Sequence, residues 1–356
     1  MPSSRRWNRN VYFRFNPLSI SREFNIQYNE LADFDAFLVS PEPLEFCSRG
    51  LESGSMNIYP MFLSDLNDVI TKIHGPLLKN FWRSAPSLTI KGKQSGLRFP
   101  EVMAIMNLTP DSFYAESRTK EGEVDGRLDE IEQAGAKLVD IGGQSTRPGS
   151  ERISPQEEMK RILKAVEISL NRNFIVSVDS YAPEVLRECL DMGAHLINDV
   201  TGMDNPEVGK LAKKYEVPIV LMHKKGDFKT MQHSPSYQNV INEIIDFFYQ
   251  KISQSAELGI ESNIILDPGI GFGKRVEDNL SIIRNLRDLK LGHPLLIGLS
   301  RKSFIGEIMG ESVDQRGESS LILNTIALMN GADIIRVHDV RDNSKLIKIV
   351  KKIKEI

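Results

Sequence analysis

From Val102 onward, short apolar runs alternate with amphipathic stretches. The runs are Val102–Met106, Leu138–Ile141, Ile175–Val178, His195–Ile197, Ile219–Met222, Ile264–Leu266, Leu295–Ile297 and Ile334–Val337. Between them, segments such as Glu157–Leu170, Ile241–Leu258 and Leu280–Leu289 place apolar residues at helical spacing. Strand–helix alternation predicts parallel strands joined by crossover helices. Eight such units in residues 101–356 match the size of a closed (β/α)8 TIM barrel, about 250 residues. The fold class is therefore α/β, with an open doubly wound sheet as the alternative.

Residues 1–96 differ in character and read as a small appended N-terminal domain of unknown role. Val11, Phe13 and Phe15 alternate as in a strand. Ser64 is a candidate N-cap for a helix carrying Leu66, Val69, Ile70 and Ile73, stopped by Gly75-Pro76. Gly92 to Gly96 reads as a connector. Arg5, Arg6, Arg9, Arg14 and Arg22 all precede the first acidic residue, Glu23. They suit a solvated basic arm or a first strand, with an organelle transit segment as the alternative.

The balance of 45 Lys plus Arg against 48 Asp plus Glu, in 356 residues, gives no reason to expect a nucleic-acid partner. No stretch approaches the roughly 20 apolar residues of a membrane span. The two cysteines, Cys47 and Cys189, exclude a disulfide framework and fit a reducing, cytoplasmic setting as buried small hydrophobes.

Each apolar run ends in hydrogen-bonding or reactive groups: Asn107, Asp140, Asp179, Asn198-Asp199, His223, Asp267, Ser300-Arg301-Lys302, and Arg336 with His338 and Asp339. A parallel barrel gathers all strand C-termini at one mouth, so these groups should converge there. Asp179 and Asp267 can each accept two donors side by side, as an N–H plus an exocyclic amine of a flat heterocycle would offer. Arg336 and His338, two residues apart in extended chain, face one way at the position where such barrels hold phosphate; a satisfied Arg–Asp pair is the alternative. Asn107, in Asn-Leu-Thr-Pro-Asp-Ser-Phe113, offers an oxygen to a hydrated Mg2+. Gly142-Gly-Gln-Ser-Thr146-Arg147-Pro-Gly149 suits a lid over an anion. Gly269-Ile-Gly-Phe-Gly-Lys274 is glycine-rich like a phosphate cradle but lacks the P-loop spacing. His223 is a candidate mouth residue; His74, His195, His233 and His293 read as structural or surface groups, and no Cys/His spacing suggests zinc.

Taken in order, these motifs, with Val178-Asp-Ser-Tyr181, Leu266-Asp-Pro-Gly-Ile-Gly-Phe-Gly-Lys274, Ser300-Arg-Lys-Ser303 and Arg336-Val-His-Asp339, resemble the dihydropteroate synthase family over residues 101–350. The resemblance implies a homodimeric transferase that joins dihydropterin diphosphate to p-aminobenzoate and releases pyrophosphate. It implies that Asp179, Asn198, Asp267 and Lys302 hold the pterin, with Met222 near its ring. Asn107, Arg336 and His338 would hold the diphosphate and Mg2+, and Thr146, Arg147, Phe272 and Ser300 would border the p-aminobenzoate. Asp179, Asp267, Lys302, Arg336 and His338 would carry the catalysis.

The chain departs from the family pattern at Tyr114-Ala-Glu-Ser117, Gln144, Ser180 and Asp227-Phe228. The first departure leaves open a modified aminobenzoate, as in a methanopterin-type cofactor. Two further alternatives are a pterin-dependent corrinoid methyltransferase and a pterin-binding protein without catalysis. The synthase assignment requires Asp267 and Arg336 to open toward the same end of the barrel.

Overall fold

The computed structural model describes residues 12–15, 20, 26–27, 31–32, 34, 36–40, 44, 51–53, 56–61, 88–108, 123–145 and 152–354. The helix expected after Ser64 lies outside them. Eight parallel strands follow one another: β1 (Glu101–Asn107), β2 (Leu138–Gly142), β3 (Ile175–Asp179), β4 (Leu196–Asp199), β5 (Ile219–Met222), β6 (Ile264–Asp267), β7 (Leu296–Ile297) and β8 (Ile334–Val337). Each pairs with its neighbour in sequence, and β8 pairs back onto β1. The remaining gap, between β6 and β7, closes through a parallel bridge between Leu266 and Leu295, with the Leu266 N–H donating to the Pro294 carbonyl at 2.9 Å. The barrel is therefore closed, and the open-sheet alternative is excluded. β7 is one residue shorter than its apolar run because Leu295 serves this closure.

Helices cover the outside. Pro155–Asn171 starts where Ser154 accepts the Glu157 N–H and Pro155 occupies the first turn. Val240–Leu258 starts where the Asn239 side chain accepts the N–H groups of Ile241 and Asn242. The segment expected over Leu280–Leu289 begins earlier and breaks in two. Val276–Arg284 starts where Asp278 accepts the Arg275 N–H, and Leu286–Leu289 is a separate 3-10 turn. Cys189 is a free, fully buried thiol in the helix Pro183–Met192. No helix among the described residues is long and apolar enough to cross a membrane.

The barrel base is dry. Met103, Leu138, Ile175, Leu196, Val220, Ile265, Leu296 and Ile334, one from each strand, form a single apolar layer. The segment that reads as a connector is instead a plug for this layer. Thr89–Ile90 and Lys93–Gln94 pair as a hairpin whose turn residues, Lys91 and Gly92, both have positive φ. The hairpin drops the fully buried Leu88 into the layer. Asn263 fixes it by accepting the Thr89 N–H at 3.0 Å and donating to the Thr89 carbonyl at 2.9 Å.

The described N-terminal strands form a four-stranded antiparallel sheet: Tyr12–Arg14, Ala36–Ser40, Met56–Met61 and Leu51–Ser53 in spatial order. Ala36 and Leu38 on one face join the core shared with the barrel helices, while Phe37 and Val39 on the other pack with Ile20, Leu31 and Ile58. The first strand faces the barrel with Tyr12 and Arg14, and Phe15 packs against the same core. Tyr12 donates to Asp246, and Arg14 is buried against Asp288 at 3.3 Å. For Arg14 the strand reading holds and the solvated-arm reading fails.

Truncating the plug, Leu88→Ala, removes apolar contacts that nothing else can supply. It is expected to lower unfolding stability by about 2–5 kcal/mol, measured by urea denaturation.

Candidate active site

Because side chains alternate along a strand, each step of two residues from the dry base climbs one layer inside the barrel. The next layer is Ile105, Asp140, Ser177, Asn198, Met222, Asp267, Gly298 and Arg336. The layer above includes Asn107, Asp179, Val200, Ser300 and His338. A cavity of about 480 Å³ opens over these layers. Every described residue of the expected site lines it: Asn107, Asp179, Asn198, Met222, Asp267, Phe272, Ser300, Lys302, Arg336 and His338. Asp267 and Arg336 open to the same mouth. Thr146 and Arg147 lie outside the described residues.

One guanidinium organises the cavity floor. Arg336 donates through Nε to Asp140 Oδ2 and through Nη2 to Asp179 Oδ2, both at 2.6 Å. The fully buried Asp140 also accepts Ser177 Oγ–H at 2.6 Å and Asn198 Nδ2–H at 2.8 Å. The Arg–Asp pairing left as an alternative by the sequence thus exists, and it lies inside the site. Gly142 makes room for it, since a Cβ there would stand 3.2 Å from the Asp179 Cβ.

Both expected pterin carboxylates have perturbed acidity. Burial pushes Asp179 up to about 7, against the pull of Arg336 and with help from Asp140 and Glu158. Its Oδ1 is buried with no hydrogen-bond partner. A buried, unsatisfied carboxyl oxygen at a cavity wall is a site awaiting a donor. Burial pushes Asp267 up to about 6, against the Gly269 N–H it accepts at 2.7 Å and the charges of Lys302, Lys274 and Arg336. Perturbed carboxyls in a cleft mark a functional site.

The other walls divide by chemistry. Ser300 Oγ lies 3.0 Å from His338 Nδ1, anchoring the imidazole at the end of β8. Lys302 Nζ stands 4.3 Å from the centre of the Phe272 ring, a cation–π contact. Met222, Val200, Phe228 and Met231 form an apolar cluster with Tyr181 and Phe272 packed on it. Phe228, a departure from the family pattern, stacks on Tyr181 at 6.0 Å. Gln144, another departure, donates to the Tyr181 hydroxyl at 2.5 Å.

The loop Gly269–Lys274, which lacks the P-loop spacing, turns its lysine inward: the buried Lys274 amine donates to the loop's own carbonyls, Gly269 at 2.9 Å and Phe272 at 3.2 Å. Two sequence expectations are corrected. His223 does not line the cavity; it is buried behind the mouth, 3.0 Å from Lys274 Nζ and edge-on to Phe247. Asp199 and Asp339 serve structure. Asp199 accepts the N–H groups of Thr201 and Met203, and Asp339 holds Arg301. Arg301, held in this way, still lines the cavity beside Lys302.

Sequence reasoning assigned no role to Asp140, although it stood among the strand-end polar groups. Its place at a strand end was the only signal; that it sits opposite Ser177 in the β2–β3 pairing emerges from the fold. Gln232, which lines the cavity and donates to the Gly271 carbonyl, belongs to no motif. Arg316 reaches the cavity from beyond the β7 loop while bonding the Arg301 and Lys302 carbonyls. Only the tertiary fold could have revealed these two.

Residues 103–338 match the family model described as pterin binding enzyme. Dihydropteroate synthase of Escherichia coli K12 is 38% identical over 269 residues, covering 74% of this chain and 95% of that protein. The Synechocystis enzyme of the same name is 40% identical over 263 residues, covering 70% of this chain and 88% of that protein. Among solved structures, Yersinia pestis dihydropteroate synthase with a sulfonamide drug aligns with a TM-score of 0.72 at 38% identity, covering 76% of this chain and all of that one. The Burkholderia cenocepacia synthase complexed with 7,8-dihydropteroate aligns at 0.68 and 31% identity, covering 76% of this chain and 96% of that one. With a closed barrel, a carboxylate-lined cavity and relatives matched over nearly their whole length, the chain belongs to the dihydropteroate synthase family of pterin-binding enzymes.

Proposed function

We propose that this chain is a transferase of folate biosynthesis that condenses 6-hydroxymethyl-7,8-dihydropterin diphosphate with p-aminobenzoate, giving 7,8-dihydropteroate and pyrophosphate. The observation that carries the reading is the pairing of the unsatisfied Asp179 Oδ1 with Asp267 across one cavity whose rim holds Lys302 and His338. The carboxyls and Asn198 accept the pterin's N–H and amino donors. Met222 packs against the ring. Breaking the methylene C–O bond expels diphosphate and leaves a cation delocalised into the pterin. Asp179 and Asp267 favour that cation by Coulomb attraction and by polarising the ring through its N–H groups. Arg336 and His338 offset the negative charge collecting on the leaving group, and Lys302 stands with the pterin-holding residues. The aniline nitrogen, neutral at pH 7, then forms the C–N bond and gives up its proton to solvent. Phe272, Ser300, Thr146 and Arg147 border the amine.

Mg2+ fits this site as a companion of the substrate rather than as a resident ion. Among the described residues no three His, Cys, Asp or Glu side chains gather as a metal site. Asn107 lines the cavity, however, and Mg2+ needs few protein ligands when phosphate and water complete its shell. Asn107 is the residue that would hold it, and the ion would supply charge neutralisation at the diphosphate.

We also propose a homodimer. Ile308, Met309, Ile322, Ile326 and Met329 are exposed on the helices Ser303–Met309 and Gly317–Met329, an apolar surface suited to a second copy. Sedimentation velocity should give twice the chain mass, and Ile322→Lys with Ile326→Lys should give monomer.

The direct test mixes the protein with dihydropterin diphosphate, Mg2+ and either p-aminobenzoate or its ribosylated analogue, and measures coupled product and free pyrophosphate. Product with p-aminobenzoate is expected. Product only with the ribosylated amine would select the methanopterin-type alternative, and ligand binding without pyrophosphate release would select the non-catalytic one.

Asp267→Asn keeps the acceptor for the Gly269 N–H but removes the charge. Turnover should fall about 100-fold or more, while the unfolding midpoint should not fall, because the lost carboxylate was costly to bury. Acidity gives a further check. Both folded-state carboxyls are raised, so acid protonates them within the working range. Activity expressed as kcat/KM should therefore decline as pH drops through about 7 to 6. The same shifts mean that these two groups favour the folded state most at low pH, and that this contribution is lost progressively as pH rises from about 4, the ordinary carboxyl range, up to the folded values of about 6 and about 7. A kcat/KM profile flat down to pH 5 would contradict the assignment.

A further inference from the structure

Lys274 is the one charged group of the glycine loop, and the reaction above makes no use of it. Its amine is caged. Nζ lies 2.9 Å from the Gly269 carbonyl, 3.2 Å from that of Phe272, 3.4 Å from that of His223 and 3.0 Å from His223 Nδ1. Three left-handed glycines shape this cage: Gly269, Gly271 and Gly273, with φ of 65°, 78° and 65°. A Cβ at Gly269 would collide with the His223 carbonyl, and one at Gly273 with that of Lys225. The loop thus lies flat on the end of β5, with no strand ladder of its own. Two more carbonyls are held singly, Gly271 by Gln232 and Gly273 by Tyr237 at 2.7 Å, and the Gly271 N–H donates to Asn279 Oδ1 at 2.9 Å. Phe272 projects from this loop into the cavity. The two sides of the cage differ in independence. The β5 side stays in place without Lys274, because Met222 pairs with Asp267 in the sheet and the His223 N–H donates to the Asp267 carbonyl at 2.8 Å. The Phe272 carbonyl has no such support.

We propose that Lys274 is a positioning residue for the amine substrate, its buried ammonium fixing the glycine loop so that the Phe272 ring stands at the edge of the cavity. The inference rests on the proposed reaction and on Phe272 bordering the amine. Burial also draws the Lys274 amine down to about 7, with Asp267 opposing, so the cage holds an ammonium that readily gives up its proton. Loss of the tether lets the ring wander while the pterin carboxylates stay in the barrel wall. Lys274 therefore positions one substrate through its loop, while the pterin side feels only its charge, which joins those of Lys302 and Arg336 in opposing the rise at Asp267.

The test is a double-mutant cycle in steady-state kinetics on the full chain with dihydropterin diphosphate, p-aminobenzoate and Mg2+. Lys274→Met should raise the KM for p-aminobenzoate about 10-fold or more, the loss of one well-placed contact, and leave the KM for the pterin within about 2-fold. Phe272→Ala should raise the amine KM as well, and Lys274→Met added to Phe272→Ala should raise it no further. Equal increases in both KM values, or additive effects in the cycle, would overturn the proposal. Lys274→Gln, whose amide still donates to one carbonyl, gives the same readout with a smaller increase should the Met variant fail to fold. Turnover by the unmodified protein separates the two levels. Without it the proposed reaction falls, whereas turnover combined with an unselective Lys274 effect sinks only the positioning role.

Discussion

Arg336 is shared by Asp140 and Asp179 inside the barrel, and the chemistry of the cavity is arranged around that sharing. Two buried carboxylates so close would repel each other, and desolvation would favour their neutral forms. The guanidinium resolves this by giving each one a charge-assisted bond. Asp140 is saturated by Arg336, Ser177 and Asn198, so it acts as a fixed support. Asp179 keeps one oxygen for a ligand. A single cation thus divides two similar carboxylates into a structural one and a functional one.

The price of such a network is its burial, and the fold confines it to a narrow zone. Below lies a dry layer with one apolar residue per strand, sealed by Leu88. Above lies the open mouth. The polar layer between them has low-dielectric walls on most sides, which strengthens every charge–charge interaction within it. The N-terminal sheet contributes from outside by packing on the barrel helices through Tyr12, Leu38 and Tyr59.

The two halves of the site differ in rigidity. The acceptors proposed for the pterin, Asp179, Asn198 and Asp267, end strands held by backbone ladders. Phe272, proposed for the amine, sits on a loop held by side chains: Lys274, Gln232, Tyr237 and Asn279. On this reading the strands position the planar ring and the loop's side-chain bonds position the second substrate.

The alternation of eight apolar runs with amphipathic stretches was enough to give parallel strands with crossover helices, because strand period and helix period are properties of local sequence; closure into a barrel rather than an open sheet was decided by the Leu266–Leu295 bridge. The polar residues at the run ends were legible for the same reason: their positions follow from where each strand stops. Pairing was not legible. That Asp140 rather than solvent would receive Arg336, that Asp339 would hold Arg301, and that Lys274 would turn inward on its own loop depend on distances between segments far apart in the chain. The hairpin at Thr89–Gln94 shows the same limit. Its glycines read only as a connector, and that Leu88 would seal the barrel depended on the shape of the opening left by eight strands. Local chemistry determined which groups could act, and closure of the barrel decided which of them met.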